Sequence, residues 1–182
     1  SERERMYNLI KQKLQKRGDV IGVSAGNYTP GEQINDITRV NHFRNSDLPS
    51  GPLSGFIAID YDYVKTIGGE IIYGRDFSKI FSTDKSNGLL VNEAAVKAFH
   101  LENPIGYNFN FFDVNRVIIG VTKDIQYKSI KEQTLPAVFY IQPDYASRKI
   151  LIRVNTSDYK KTLQEIIPKI FFKLKSQAKL VW

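Results

Sequence analysis

The run from Gly88 to Gly106, GLLVNEAAVKAFHLENPIG, constrains this chain more than any other stretch because it prescribes several local structures in succession. Leu89, Leu90 and Val91 read as a short apolar strand. Asn92 is placed to accept from the first free N–H groups of a helix, and Glu93 suits the positive helix end. Ala94, Ala95, Val96, Ala98 and Phe99 supply helix formers and one apolar face. Asn103-Pro104 then imposes extended backbone, and Gly106 permits a tight exit. Tyr107 to Phe112 alternates aromatic residues with Asn, Asp113 to Asn115 forms a polar turn, and Arg116 to Thr122 is a β-branched run around Gly120. The segment is therefore strand, helix and hairpin in unbroken order.

The flanking sequence adds helices and strands of the same grain. Met6, Leu9, Ile10 and Leu14 recur at helical spacing between Glu4 and Arg17, and Gly18 stands where a left-handed C-terminal residue is expected. Val20 to Ala25 is a strand, and Gly26 to Gln33, with Pro30-Gly31, is a turn-rich loop. Ile34 to Arg44 holds one or two edge strands, Asn45 to Pro52 a polar loop, and Phe56 to Asp60 a further strand. Tyr61, Val64 and Ile67 give the Asp60 to Gly68 segment one apolar helical face. Glu70 to Tyr73 is a strand and Phe81 to Asn87 a polar loop. Lys149 to Val154 is a strand, and Thr156, Ser157 and Asp158 offer caps for a helix reaching about Lys175, which Pro168 is expected to kink or split. Lys179 to Trp182 reads as the opening of another strand.

At 182 residues and 42% hydrophobic content, the chain has the material for one sizeable core or two small subdomains. It contains no apolar run of the ~18 to 20 residues that a membrane helix needs, and no signal-peptide pattern. The absence of cysteine excludes disulfide scaffolds, zinc knuckles and thiol nucleophiles. The formal net charge is +7, with Lys and Arg densest from Lys11 to Arg17 and from Lys160 to Lys179. Such clusters invite a nucleic-acid or anionic-membrane reading, but they also suit the solvated faces of two amphipathic helices.

Catalytic patterns are scarce. His42 and His100 lie far apart without ligand-like spacing to acidic partners. Asp60 and Asp62 form an Asp-x-Asp pair with too few oxygen donors to hold calcium unaided. There is no nucleophile elbow, phosphate loop or dinucleotide turn. The reading is of a chain that is not an enzyme, with no catalytic, metal or cofactor residues and no cofactor. Asn27-Tyr28-Thr29 and Asn155-Thr156-Ser157 match the short glycosylation pattern, and the aromatics around Phe109 fit cross-strand packing better than base stacking.

Four pieces at consistent spacing carry a resemblance: GRDFS from Gly74, the Gly88 to Gly106 run, RVIIGVTKDIQYKSI from Arg116, and PAVFYIQP from Pro136. Together they resemble the extracytoplasmic domain of a MacB/FtsX-type ABC transporter permease. The resemblance implies an α+β fold: a porter-like layer of helices on a mixed sheet formed by both chain ends, with a smaller, mainly β subdomain inserted. It places the porter-like part at residues 1–73 and 134–182, and the insertion, with one short helix, at 74–133. The motif positions Gly74, Arg75, Asp76, Phe77, Asn92, Glu93, Asn103, Pro104, Gly106, Gly120, Lys123 and Asp124 are then structural. Ile125 and Gln126 depart from the family's usual Phe-His. The implied function is noncatalytic coupling, at the periplasmic face of a bacterial inner membrane, of ATP-driven motion to efflux, lipoprotein extraction or control of a cell-wall hydrolase. The implied partners are the permease's own membrane helices, a separate ATPase domain or subunit, and a periplasmic adaptor or cargo protein, with no nucleic acid expected. The alternatives are a basic nucleic-acid-binding module, whose binding would weaken steeply with salt, and an extracellular ligand sensor.

Overall fold

The first helix, α1 (Glu2–Leu14), starts at a Ser1 cap that accepts the Glu4 N–H, and it buries Tyr7, Ile10, Lys11 and Leu14 along one stripe. The computed structural model describes residues 1–39, 51–111, 114–125, 134–142, 144 and 148–171 of the chain. Contrary to expectation, Gly18 is not left-handed. The helix unwinds instead through right-handed backbone at Gln15, with the Arg17 N–H donating to Leu14 and the Val20 N–H to Arg17, so no left-handed residue is needed.

Strand β1 (Val20–Ala25) pairs antiparallel with β9 (Ile150–Val154), so the two chain ends share a two-stranded sheet. Helix α5 (Tyr159–Phe171) follows β9, with the Asp158 carboxylate accepting the Lys161 N–H. Pro168 does not split this helix. Its ring removes the bond back toward Gln164, but the helical backbone continues on both sides. Tyr7, Ile10 and Leu14 of α1 and Ile166 of α5 pack with Val20, Val23, Ala25 and Ile150, forming one layer of two helices on two strands.

The second sheet has seven strands: β2 (Ile37–Arg39), β3 (Leu53–Ile59), β4 (Ile71–Gly74), β5 (Gly88–Asn92), β6 (Asn108–Phe111), β7 (Val114–Thr122) and β8 (Ala137–Ile141). Their order is β2-β3-β8-β5-β7-β4, with β6 also on β7. The β3–β8 and β5–β7 pairs are parallel and the others antiparallel, so the sheet is mixed and the fold is α+β. The central strands are buried on both faces, as Ile57, Leu89, Leu90, Val91, Val138 and Phe139 show. The sheets meet where Gly26 bridges Ile59 and the Asp60 N–H donates to Ala25.

Three further short helices punctuate this sheet. Helix α2 (Tyr63–Thr66) follows β3, with Val64 buried and Tyr61 and Ile67 packed beside it, as the periodicity predicts. The expected polar loop before Gly88 contains instead helix α3 (Asp84–Asn87), whose Asp84 is buried. Helix α4 (Glu93–Ala98) is capped by Asn92, whose Oδ1 accepts the Ala95 N–H at 2.9 Å. It ends at His100, left-handed at φ 51°, where no glycine marks the exit. The hairpin forms as expected, but β7 starts at Val114, inside the predicted turn. Of the predicted Ile34 to Arg44 edge, β2 occupies Ile37–Arg39; Val40 to Arg44, the loop to Ser50 and the strand at Lys179 to Trp182 lie outside the described residues.

Gly74 and Gly120 face each other across β4 and β7. A Cβ at Gly120 would lie 2.2 Å from the Arg75 carbonyl oxygen, and one at Gly74 would lie 2.3 Å from that of Ile119. Both obstacles are backbone, so neither can swing aside. Gly106, at φ +83°, has open space around it. Gly120→Ala is therefore expected to cost about 3 kcal/mol or more, whereas Gly106→Ala should cost only the ~1 to 2 kcal/mol of left-handed strain. Urea unfolding of the two variants beside the parent checks this order.

Candidate functional site

The described residues hold no group of three or more His, Cys, Asp or Glu side chains that could hold a metal ion. What they hold is a set of polar joints, each tying a motif segment to a distant part of the chain.

The first joint is an arch after β4. The left-handed Gly74 turns the chain so that the Arg75 N–H donates to Ile119 and the Arg75 side chain reaches back to α3. There its guanidinium clasps Asp84 bidentately, at 2.6 and 2.7 Å. The Ser78 N–H donates to the same carboxylate at 2.9 Å, and the guanidinium lies 3.9 Å over the Phe81 ring. Asp84 is only 1% exposed. Burial pushes its carboxyl up, but the Arg75 hydrogen bonds and charge and the Ser78 N–H outweigh this and hold it below the ordinary carboxylate range. Asp76 behaves oppositely. Burial and the nearby charges of Asp62 and Asp84 raise its carboxyl, against one opposing hydrogen bond from the Phe77 N–H. Phe77 inserts into the core beside Leu90, and Ile105, from the Asn103–Gly106 turn, approaches Gly74.

The second joint clasps α4 to the end of β7. The Ala94 N–H donates to Asp124 Oδ1 at 2.9 Å, and the Asp124 N–H donates to Glu93 Oε2 at 3.1 Å. Asn92 also accepts from the Ala137 N–H at 2.8 Å and donates to the Leu135 carbonyl at 3.0 Å, which holds the start of β8. Asn103, Pro104 and Gly106 form a turn in which the Tyr107 N–H donates to Pro104 and the Gly106 N–H to Ile118. Lys123 is exposed and lies 3.8 Å from Glu70. Thus Gly74, Arg75, Asp76, Phe77 and Gly120 come together at the arch, Asn92, Glu93 and Asp124 at the clasp, and Lys123 joins neither. Gln126 and His42 lie outside the described residues.

The third joint is one that sequence patterns do not announce. Lys11, expected within a solvated basic stretch, is 6% exposed, and its ammonium lies 2.8 Å from Asp60 Oδ2, 3.4 Å from Asp62 Oδ2 and 3.3 Å from the Tyr61 carbonyl. Tyr7 donates its hydroxyl to Asp60 at 2.5 Å, and burial first, then the Asp60 charge, drives its phenol well above the usual range. Asp62 sits at φ 65° at the start of α2 without capping it. Its carboxylate instead reaches Lys11. The sequence signal was the position of Lys11 between Ile10 and Leu14, on the stripe that α1 buries. Asp84 carried no local signal.

Beside this joint opens a polar cleft of about 550 Å³, walled by Asn8, Gln12 and Gln15 of α1 and by Phe77, Ser78 and Lys79 of the arch, with Lys11 and Asp62 in its floor. Asn27, in one of the glycosylation patterns, is buried and committed, accepting the Ala58 N–H and donating to Asp36.

Lys11→Met strands the Asp60 charge in the interior and is expected to cost about 3 to 5 kcal/mol, read from chemical denaturation. Asp84 and Asp76 should respond oppositely to neutralisation. The depressed Asp84 carboxyl contributes stability above the unfolded carboxylate value, and this is lost as pH falls through its folded value. Asp84→Asn should therefore cost about 2 to 3 kcal/mol at pH 7, with a deficit that shrinks in acid. The raised Asp76 carboxyl binds its proton more tightly when folded, so its charge opposes folding at neutral pH. Asp76→Asn should raise the Tm at pH 7, and the gain should vanish as pH falls through the carboxylate range.

No family model and no curated protein matches this chain. Solved structures do. The periplasmic region of MacB from Actinobacillus actinomycetemcomitans aligns over 91% of this chain and 72% of its own, at TM-score 0.58 and 17% identity. A permease domain from Porphyromonas gingivalis aligns over 91% and 68%, at TM-score 0.59 and 11% identity. The extracellular domain of the noncanonic ABC-type transporter YknZ from Gram-positive bacteria aligns over 96% and 84%, at TM-score 0.61 and 12% identity. The chain therefore has the fold of the periplasmic region of MacB, of this permease domain and of the extracellular domain of YknZ.

Proposed function

We propose that this chain is the noncatalytic extracytoplasmic domain of an ABC transporter permease of the MacB/FtsX type. It couples ATP-driven motion on the cytoplasmic side to a partner or cargo at the periplasmic face of the inner membrane. The observation that carries the reading is the fold likeness, which spans at least 91% of the chain against three such domains. The order of the GRDFS, NEAAV, NPIG and TKD pieces supports it independently, since it rests on residue identity and spacing alone. Its partners are then the permease's own membrane helices, an ATPase domain or subunit, and an adaptor or cargo protein.

The division into a porter-like part at 1–73 and 134–182 and an insertion at 74–133 is part of the same proposal. One core cluster favours it: α1, β1, β9 and α5, from both chain ends, gather around Ala58. In this reading the motif residues are structural: the arch and the clasp make the inserted part stiff, and the Lys11–Asp60 joint makes the terminal layer move with β3. A stiff body of this kind transmits displacement instead of absorbing it.

The complete reading frame tests the proposal. Apolar spans of about 20 residues on both sides of this segment are expected. Natural termini without them would overturn it. In the full-length permease, this domain should change its position relative to the membrane helices between the nucleotide-free and ATP-bound states, as measured by distances between paired labels. Identical geometry in both states would remove the mechanical role.

A further inference from the structure

The two helices of the terminal layer pack with the same strands, β1 and β9, so each turns its opposite surface outward. Along α1 that surface presents Arg5, Leu9 and Lys13, with Lys16 in the turn just after it, all exposed, at the spacing of one helical stripe opposite Tyr7, Ile10 and Leu14. Along α5 it presents Lys160, Lys161 and Gln164, opposite Thr162 and Ile166. An ordinary solvated helix face mixes both charge signs. Here the acidic groups of the layer are spent elsewhere. Asp19 and Glu165 are both held by Arg17, at 2.7 and 2.9 Å. Asp158 caps α5. Glu2 and Glu4, in the first turn of α1, are the acidic residues left at its start.

The cations Arg5, Lys13, Lys16, Lys160 and Lys161 have no ion-pair partner among the described residues. Leu9, 47% exposed, stands among them. A predominantly basic face around one projecting aliphatic side chain matches a surface of anionic headgroups over hydrocarbon better than it matches a folded protein. The face lies on the opposite side of α1 from Lys11, so occupation would not disturb the Lys11–Asp60 joint.

We propose that the outward face of α1 and α5 is a docking surface for an anionic lipid bilayer, with Arg5, Lys13, Lys16, Lys160 and Lys161 meeting the phosphates and Leu9 entering the headgroup layer. This names a further contact for the domain proposed above, but its test does not need the permease reading: membrane spans in the reading frame decide that reading, and vesicles decide this one.

The measurement is co-sedimentation of this chain with vesicles of phosphatidylcholine alone and of phosphatidylcholine with one third phosphatidylglycerol. Binding is expected on the anionic vesicles only, and should fall steeply with added salt. Each cation removed should weaken it roughly five-fold, so Arg5→Gln, Lys13→Gln and Lys16→Gln together should lower it about 100-fold. Lys85→Gln, Lys97→Gln and Lys123→Gln together change net charge equally on other surfaces and should leave it nearly intact. Leu9→Ser should weaken binding without altering its salt dependence. All these positions are exposed, so the variants should fold. No binding to anionic vesicles, or equal losses in the two triple variants, overturns the proposal. So does tighter binding to duplex DNA that the first triple variant abolishes, which would make the face a nucleic-acid surface.

Discussion

One buried carboxylate, Asp60, holds the architecture together. It sits where β3 ends, beside the bridge between the two sheets, and receives both the Lys11 ammonium and the Tyr7 hydroxyl from α1. The net contribution of such a pair to stability is small, because desolvating two charges offsets most of their attraction. Its value lies in what it forbids. If α1 slid by one turn or rotated on β1, a charge would remain in the interior without a partner. The apolar contacts of Ile10 and Leu14 are far less particular about register. The ion pair therefore specifies where the terminal layer sits, and the hydrophobic cluster supplies the adhesion.

The arch and the clasp follow the same logic inside the larger sheet. Parallel pairs such as β5–β7 are joined by a crossover, here α4 and the hairpin, and nothing local sets their relative height. The reciprocal bonds between Glu93, Ala94 and Asp124 supply that setting, and Asn92 extends it to β8 through Leu135 and Ala137. At the arch, two glycines let β4 and β7 approach more closely than any side chain would allow. That approach orients Arg75 onto Asp84. A sheet with so many non-local pairings gains definition from polar contacts that tolerate only one geometry.

How much of this is legible in the sequence depends on the range of the interaction. Asn92 is recognisable as a cap because its partner, Ala95, is three residues away. The α2 face at Tyr61, Val64 and Ile67 is legible for the same reason. Of the two outcomes expected at Pro168, the split does not occur, since the helix runs on through it to Phe171. Gly18 misleads because a glycine after a helix is common, whereas here the backbone continues right-handed and requires none. Lys11 falls among the solvated lysines by composition, although its neighbours Ile10 and Leu14 mark the buried stripe. Its acceptor, Asp60, lies 49 residues away.

From its sequence alone the chain determined the kind and order of most of its elements: the caps at Asn92 and Asp158, the turn at Gly106, the alternation of the hairpin and the motif order behind the α+β expectation. Those features rest on contacts within a few residues, where backbone geometry and side-chain reach suffice. Tertiary structure alone decided that β3 and β8 run parallel, that Asp84 belongs to Arg75, that Lys11 is buried and that the outward face of the terminal helices is left basic. Each of these depends on which distant groups share a low-dielectric interior and which are left to water, and only the assembled fold brings those groups within reach.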